Sequence, residues 1–139
     1  DYVMTLEDYM KRAVFPDEIG RYAYPIDIHP SSADKAAYER HREEFDRLYK
    51  YRKGESYGIP YRILCAKGVK NLLVAGRCVS TDQKVQASIR VMPACYLTGQ
   101  AAGFAAAMAA DGYGDVHAID VTLLQRKLVA FGAYLPNMV

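Results

Sequence analysis

Twenty consecutive residues, 91–110, carry no charge, and they place the tightest limit on how this chain can fold. A helix over that stretch is about 30 Å long, the thickness of a hydrocarbon core. Eight of the twenty are Ala, which gains little on transfer to lipid, and Pro93, Thr98, Gly99, Gln100 and Gly103 lower the apolar character further. The expectation is therefore a central helix of a folded core rather than a membrane span. Pro93 lacks an N–H, which is harmless only in the first helical turn, so the helix should begin near Arg90 to Met92. Gly99 and Gly103, four residues apart, share one helix face and are expected to let another backbone approach closely.

The rest of the chain can supply such a core. At 139 residues it has the size of one domain, with 51% hydrophobic and 24% charged residues, far from the pattern of a disordered chain. A net charge of +2 gives no field that argues for nucleic acid or an acidic membrane surface. The charge is unevenly placed: residues 1–55 sum to −2, and residues 56–139 to +4. Cys65, Cys78 and Cys95 lack the number and density of a disulfide scaffold, and no CxxC or Cys/His cluster has metal-ligand spacing. They read as reduced thiols, with no metal called. The chain opens at Asp1 without a basic and apolar leader, so a signal peptide is expected to be either absent or already missing from it.

Leu6, Tyr9, Met10 and Ala13 are spaced for a short helix over Leu6 to Val14, with Thr5 as N-cap and Asp8 three residues on. Residues 22–29 alternate Tyr24, Ile26 and Ile28 against Pro25, Asp27 and His29, which predicts a half-buried edge strand. A largely solvated helix is expected from Ala33 to Arg52, where Tyr38, Phe45, Leu48 and Tyr49 form a narrow stripe. Residues 57–64 read as extended, interrupted by Pro60. The run Leu72-Leu-Val-Ala75 before Gly76 predicts a strand buried on both faces of a parallel sheet. A last helix should start at Asp120, bury Val121, Leu124, Leu128 and Phe131, and stop at Gly132.

In a strand-loop-helix unit, the loop after the strand and the N-terminus of the helix form the ligand-binding edge. Here that edge would hold Gly76, Arg90, Val91 and Met92. Free N–H groups beside a guanidinium favour an anionic or electron-rich ligand.

Several stretches carry a resemblance: residues 24–29 (YPIDIH), 57–62 (YGIPYR), 67–80 (KGVKNLLVAGRCVS), 88–95 (SIRVMPAC), 99–103 (GQAAG) and 124–128 (LQRKL). Together they resemble the C-terminal part of a bacterial family of FAD-dependent oxidoreductases related to the glutathione-reductase and fumarate-reductase flavoproteins. The resemblance implies an α/β fold, a partial Rossmann-like FAD-binding domain with several helices and a few strands. It implies that Leu72 to Gly76 is the last strand of the FAD-binding sheet. It also implies that Gly76 and Arg77 pass the pyrophosphate and ribitol, and that the N–H groups of Val91 and Met92 face the pyrimidine carbonyl of the flavin. Relatives often carry an acidic residue where Arg77 stands, and a phosphate contact is the role expected of it. The family's Gly-x-Gly-x-x-Gly after a strand, which holds the ADP half of FAD, does not occur in these residues. This chain is thus expected to be a fragment that does not retain FAD or act alone.

Residues 1–55 are read as a substrate-side connecting segment and 56–139 as the C-terminal portion of the FAD-binding domain. His29, beside Asp27 on one strand face, and Arg62 are the catalytic candidates, with Arg62 and Arg90 as possible anchors for an anionic substrate; ordinary structural roles compete for all three. His41 and His117 read as surface residues, Cys78 as a buried inert thiol and the twelve tyrosines as packing. The expected partners are a small-molecule substrate and the remainder of the flavoprotein chain, in the cytoplasm or periplasm. A stand-alone α/β protein-interaction module without redox activity is the alternative.

Overall fold

Two short strands and the helices packed around them form the regular structure in a computed structural model that describes residues 1–28, 36, 39, 40, 42, 43, 46 and 49–138. The order is α1 (Leu6–Met10), β1 (Glu18–Tyr22), β2 (Tyr57–Pro60), a 3-10 turn (Tyr61–Ile63), a second (Gly76–Cys78), α2 (Gln83–Ile89), α3 (Met92–Ala110) and α4 (Val121–Ala130). Described positions 36, 39, 40, 42, 43, 46 and 49 are helical, in keeping with the helix expected from Ala33, but residues 50–52 are not, so the helix stops short of Arg52; the remaining residues of that segment lie outside the described ones, as do His29 and His41.

α1 forms where the capping box predicts it. The Asp8 carboxylate accepts from the Thr5 N–H (2.8 Å) and hydroxyl (3.0 Å), though the helix ends at Met10 rather than Val14. A second carboxylate closes its first turn: Asp82 Oδ2 accepts from the Leu6 N–H at 2.6 Å, while Oδ1 accepts from Val85 N–H at 2.8 Å as the N-cap of α2. Each such cap is worth about 1 kcal/mol, so Asp82 holds two helices at once. Backbone bonds from Met4 N to Ser80 O (3.0 Å) and from Asp82 N to Met4 O (2.8 Å) join the same two segments.

β1 and β2 pair antiparallel, with Tyr22 opposite Tyr57, Gly20 opposite Ile59 and an irregularity between Glu18 and Gly20. β1 stands upstream of the strand expected at 22–29, whose described residues 23–28 form no ladder; Ile26 is buried there, but Tyr24 is exposed. Inside β1 the Glu18 carboxylate accepts from Arg21 Nη1 (2.7 Å) and Phe15 N–H (3.1 Å), and both charged side chains are nearly fully buried. Glu18 lies over Gly58, where an added Cβ would sit 2.9 Å from Glu18 Cγ and closer still to the carboxylate. Gly20 meets Leu97 of α3 just as tightly, 2.8 Å from Cγ. Those two glycines allow the sheet to be crowded from both sides.

The core gathers Tyr9, Tyr57, Ile59, Ile63, Leu64, Ile89, Leu124 and Leu128, all fully buried, each worth about 1.5–3 kcal/mol if aliphatic. The tyrosines do more than fill space. Tyr9, Tyr22, Tyr51 and Tyr57 have ring centroids 4.7–6.2 Å apart, Tyr9 hydroxyl donates to Tyr49 O, and Tyr51 hydroxyl donates to Tyr9 O. Burial raises all four phenols, Tyr9 to about 12.

α3 begins at Met92 with Pro93 in its first turn, as the proline requires, and packs on α4, on β1 and on the Gly76–Cys78 turn. It presents Ala94, Thr98, Ala101, Ala105 and Ala109 to the core, and Gly99 and Gly103 face open space with nothing within 4 Å of an added Cβ. The close approach expected at those glycines occurs instead at Gly20 and Gly58. α4 is capped by Asp120, whose Oδ1 accepts from Leu123 N–H at 3.0 Å, and Gly132 follows in the left-handed region (φ +94°). Leu124 and Leu128 are buried as expected, whereas Phe131 is exposed and Gln125 takes an inner position, donating to Pro16 O and Glu18 O.

The run Leu72 to Gly76 departs furthest from expectation. It is extended, but its only ladder contact is an isolated antiparallel bridge between Leu73 and Cys65, and Leu72 is 46% exposed. With no strand beside it among the described residues, it is an apolar edge rather than the buried strand of a parallel sheet. Among the described residues no helix is long and apolar enough to cross a membrane.

Candidate functional site

The loop that follows this apolar run turns at Gly76, whose φ of +63° is a left-handed conformation that other residues adopt only with strain. The turn puts the Gly76 N–H on Thr98 Oγ1 (3.0 Å), in the second turn of α3, and carries Arg77 to the N-terminus of that helix. Arg77 Nε donates to Arg90 O at 3.2 Å, and Gln86 Nε2 of α2 donates to Arg77 O at 3.0 Å. Arg90 ends α2 and reaches back to Asp27, with Nη2 3.1 Å from the carbonyl and 3.9 Å from Oδ2.

Between these two arginines α3 starts without a side-chain cap. Its N-cap is Val91, which has no acceptor, and the first backbone bond of the helix runs from Cys95 N to Val91 O (3.2 Å). The N–H groups of Met92 and Ala94 precede that bond and have no partner within the helix. Arg77, Arg90, Val91 and Met92 line one hollow of about 470 Å³, within the range of small-molecule sites. Two arginine side chains and the positive end of a 19-residue helix therefore border one space. A planar, electron-rich or anionic group is what this arrangement can hold. Two other hollows, of about 380 and 370 Å³, lie by Glu18 and Gln125 and by Asp111 and Lys127, and neither combines paired cations with helix amides.

Gly76, Arg77, Arg90, Val91 and Met92 thus come together from three elements. Arg62 does not join them. It sits in the first 3-10 turn with its guanidinium 4.7 Å from the centroid of Tyr2 and 5.5 Å from that of Phe15, and 3.7 Å from Asp17 Oδ1, which also anchors the Arg62 N–H through Oδ2 (3.2 Å). His29 lies outside the described residues. Cys78 is exposed, not buried, because the 3-10 turn that begins at Gly76 swings it outward. His117 is exposed, as expected of a surface residue, and is hydrogen-bonded through both ring nitrogens.

Residues 1–128 match the family described as FAD dependent oxidoreductase. The chain belongs to that family. Membership gives a flavoprotein of oxidoreductase type and makes FAD the cofactor to test against the hollow. No curated protein and no solved structure matches the chain. The residues present fit the charge of FAD: the Met92 N–H would be a donor to a flavin carbonyl oxygen, and the guanidinium groups would suit its phosphates. Thr98 was missed by the sequence reading, although its place one turn beyond Pro93 on the face of Ala94 and Ala101 was a usable signal.

Proposed function

We propose that this chain supplies the flavin-edge wall of an FAD-dependent oxidoreductase, with Val91 and Met92 at the pyrimidine carbonyl of the flavin and Gly76 and Arg77 along the ribitol and pyrophosphate. The observation that carries this reading is the uncapped start of α3 between two arginines. FAD when bound supplies the redox chemistry, accepting and returning electrons at the flavin ring. The chain's own part is electrostatic. Helix amides and the Arg90 guanidinium favour the negative charge that reduction places on the carbonyl edge. Arg77 is held by Arg90 O so that it faces phosphate, and Gly76 lets the backbone turn beneath the ribitol without strain.

On this reading residues 56–139 belong to a Rossmann-like FAD-binding domain and residues 1–55 to the substrate side, where His29 and Arg62 are the candidates for contact with a small-molecule substrate. The adenosine half of FAD is held by segments other than these, since no Gly-x-Gly-x-x-Gly occurs here. The remainder of the flavoprotein chain covers the exposed edge at Leu72 and the uncharged outer face of α3. Affinity of the chain by itself for FAD is accordingly weak.

Adding FAD to the isotope-labelled chain and following its amide resonances tests the assignment without requiring tight binding. Shifts are expected at Gly76, Arg77, Arg90, Val91, Met92 and Ala94. They should shrink in an Arg77→Ala, Arg90→Ala double variant. Shifts that avoid these six residues at saturating FAD would refute the placement.

A further inference from the structure

A second site lies away from the arginine hollow, where the ends of three segments meet. The side chains of Asp1, Cys65 and His117 each place one potential ligand atom within 4.8 Å of the other two. His117 Nδ1 stands 2.6 Å from Asp1 Oδ2, and Nε2 stands 3.1 Å from Val69 O. The carbonyl can only accept, so Nε2 carries a proton, and in the neutral ring Nδ1 is then a lone pair facing a carboxylate oxygen. Two acceptors at that distance need a cation or a proton between them. The carbonyl that fixes this tautomer is the kind of outer partner that metal-binding histidines use.

The thiol completes the set. Cys65 is buried, and the nearby Tyr61 hydroxyl donates to Val116 O at 2.8 Å. A nucleophilic role is disfavoured because both His117 nitrogens are engaged elsewhere and neither is left to take the thiol proton. One thiolate and one carboxylate carry two negative charges, which a divalent ion of intermediate softness would cancel.

We propose that Asp1 Oδ2, Cys65 Sγ and His117 Nδ1 form a zinc site with the fourth position left to water. Tetrahedral Zn²⁺ places S, N and O ligands at about 2.0–2.3 Å, so the Cys65 sulfur closes in by up to about 1 Å while His117 Nδ1 and Asp1 Oδ2, now 2.6 Å apart, separate by somewhat less to admit the ion. Binding releases the thiol proton to solvent, together with any proton shared by His117 and Asp1. The site ties the segment before α1 to the loops before Gly76 and before α4, and its role is structural. Asp115 sets the loop, since its Oδ1 accepts from the His117 N–H at 3.0 Å.

Co²⁺ added to the reduced, purified chain is the test. One equivalent should give the visible bands of a tetrahedral ion and a near-ultraviolet thiolate band, both removed by one equivalent of Zn²⁺. Cys65→Ser should abolish the thiolate band, whereas Cys78→Ser should keep it. His117→Gln and Asp1→Asn, at more accessible positions, should each weaken Co²⁺ binding by about tenfold or more. Melting curves confirm that each variant is folded, and should Cys65→Ser fail to fold, the His117 and Asp1 variants decide. The proposal is overturned by absence of a tetrahedral spectrum at equimolar Co²⁺, by a thiolate band that survives in folded Cys65→Ser, or by unchanged affinity in both other variants.

Discussion

The β1–β2 pair and the outer face of α3 treat the same residue types in opposite ways. In the strand pair, glycines are where they are because Glu18 and Leu97 press on the backbone, and a buried ion pair and a tyrosine cluster fill the surroundings. On the outer face of α3, Gly99 and Gly103 meet nothing, and the neighbouring exposed residues Met92 and Tyr96 are uncharged and apolar. The lesson is that a glycine pair at helical spacing does not by itself report a close contact. Charge can also be interior: β1 hides Glu18 and Arg21, while the stretch without any charge contributes exposed surface.

Alkaline pH should produce the largest contrast between the two regions. Unfolded tyrosine ionises near pH 10, whereas Tyr9 in the fold waits until about 12, and burial pushes Tyr51, Tyr57 and Tyr61 up as well. Because the folded pKa is the higher one, stability is complete below pH 10 and is lost as pH rises above it. Tyr9 alone accounts for about 2–3 kcal/mol of that loss by pH 12. Urea midpoints measured between pH 8 and 11 should fall steeply only above 10, and Tyr9→Phe should flatten the fall. A midpoint independent of pH up to 11 would contradict the buried cluster.

Arg21→Leu comes close behind. It leaves Glu18 buried without a cation, and Glu18 Oε2 already has no hydrogen-bond partner, so a loss of about 3–5 kcal/mol is expected by urea unfolding. Next is Gly58→Ala, which pushes a methyl group against the Glu18 side chain and should cost about 1–3 kcal/mol. Recovery in Gly58→Ala combined with Glu18→Gln would not follow, since the amide has the same bulk.

At the α3 end the expected effects are electrostatic and small. Val91→Glu in the flavin-loaded protein puts a carboxylate a few ångströms from the carbonyl edge, worth on the order of 1–3 kcal/mol, so the two-electron midpoint potential should drop by roughly 20–60 mV. An unchanged potential would separate this helix end from the flavin. Smallest of all, Gly99→Ala and Gly103→Ala should each stabilise the chain by about 0.5–1 kcal/mol through helix propensity alone. A fall in melting temperature for both would mean that the outer face is packed after all.

What could be read from the residues follows the range of the forces involved. Thr5 with Asp8, Pro93, Asp120 and Gly132 act within four residues of themselves, and the helix ends they mark stand where expected. β1 was illegible because Glu-Ile-Gly-Arg-Tyr has no alternating apolar pattern; its charges become compatible with burial only when Arg21 folds back on Glu18. Leu72 to Gly76 had the composition of a buried strand, but a strand also needs neighbouring strands, and among the described residues it makes only an isolated bridge to Cys65. Arg90, Val91 and Met92 could be placed beside the loop at Gly76 because the proline fixed where the helix starts, whereas Arg77 was assigned there only by the resemblance. The Asp1, Cys65 and His117 group has no local signature, being assembled from three distant segments.

The carboxylate of Asp82 bears on the order in which the molecule comes together. The Leu6 N–H finds its acceptor 76 positions along the chain, so the first turn of α1 cannot be completed until that distant stretch has arrived. Closing so long a loop costs entropy before any contact repays it, which makes α1 a late element despite its short reach in sequence. Opening should run in reverse. The amides of Leu6 and Val85, held by the two oxygens of one side chain, should exchange with solvent deuterium in a single correlated event, and Asp82→Ala should release both together.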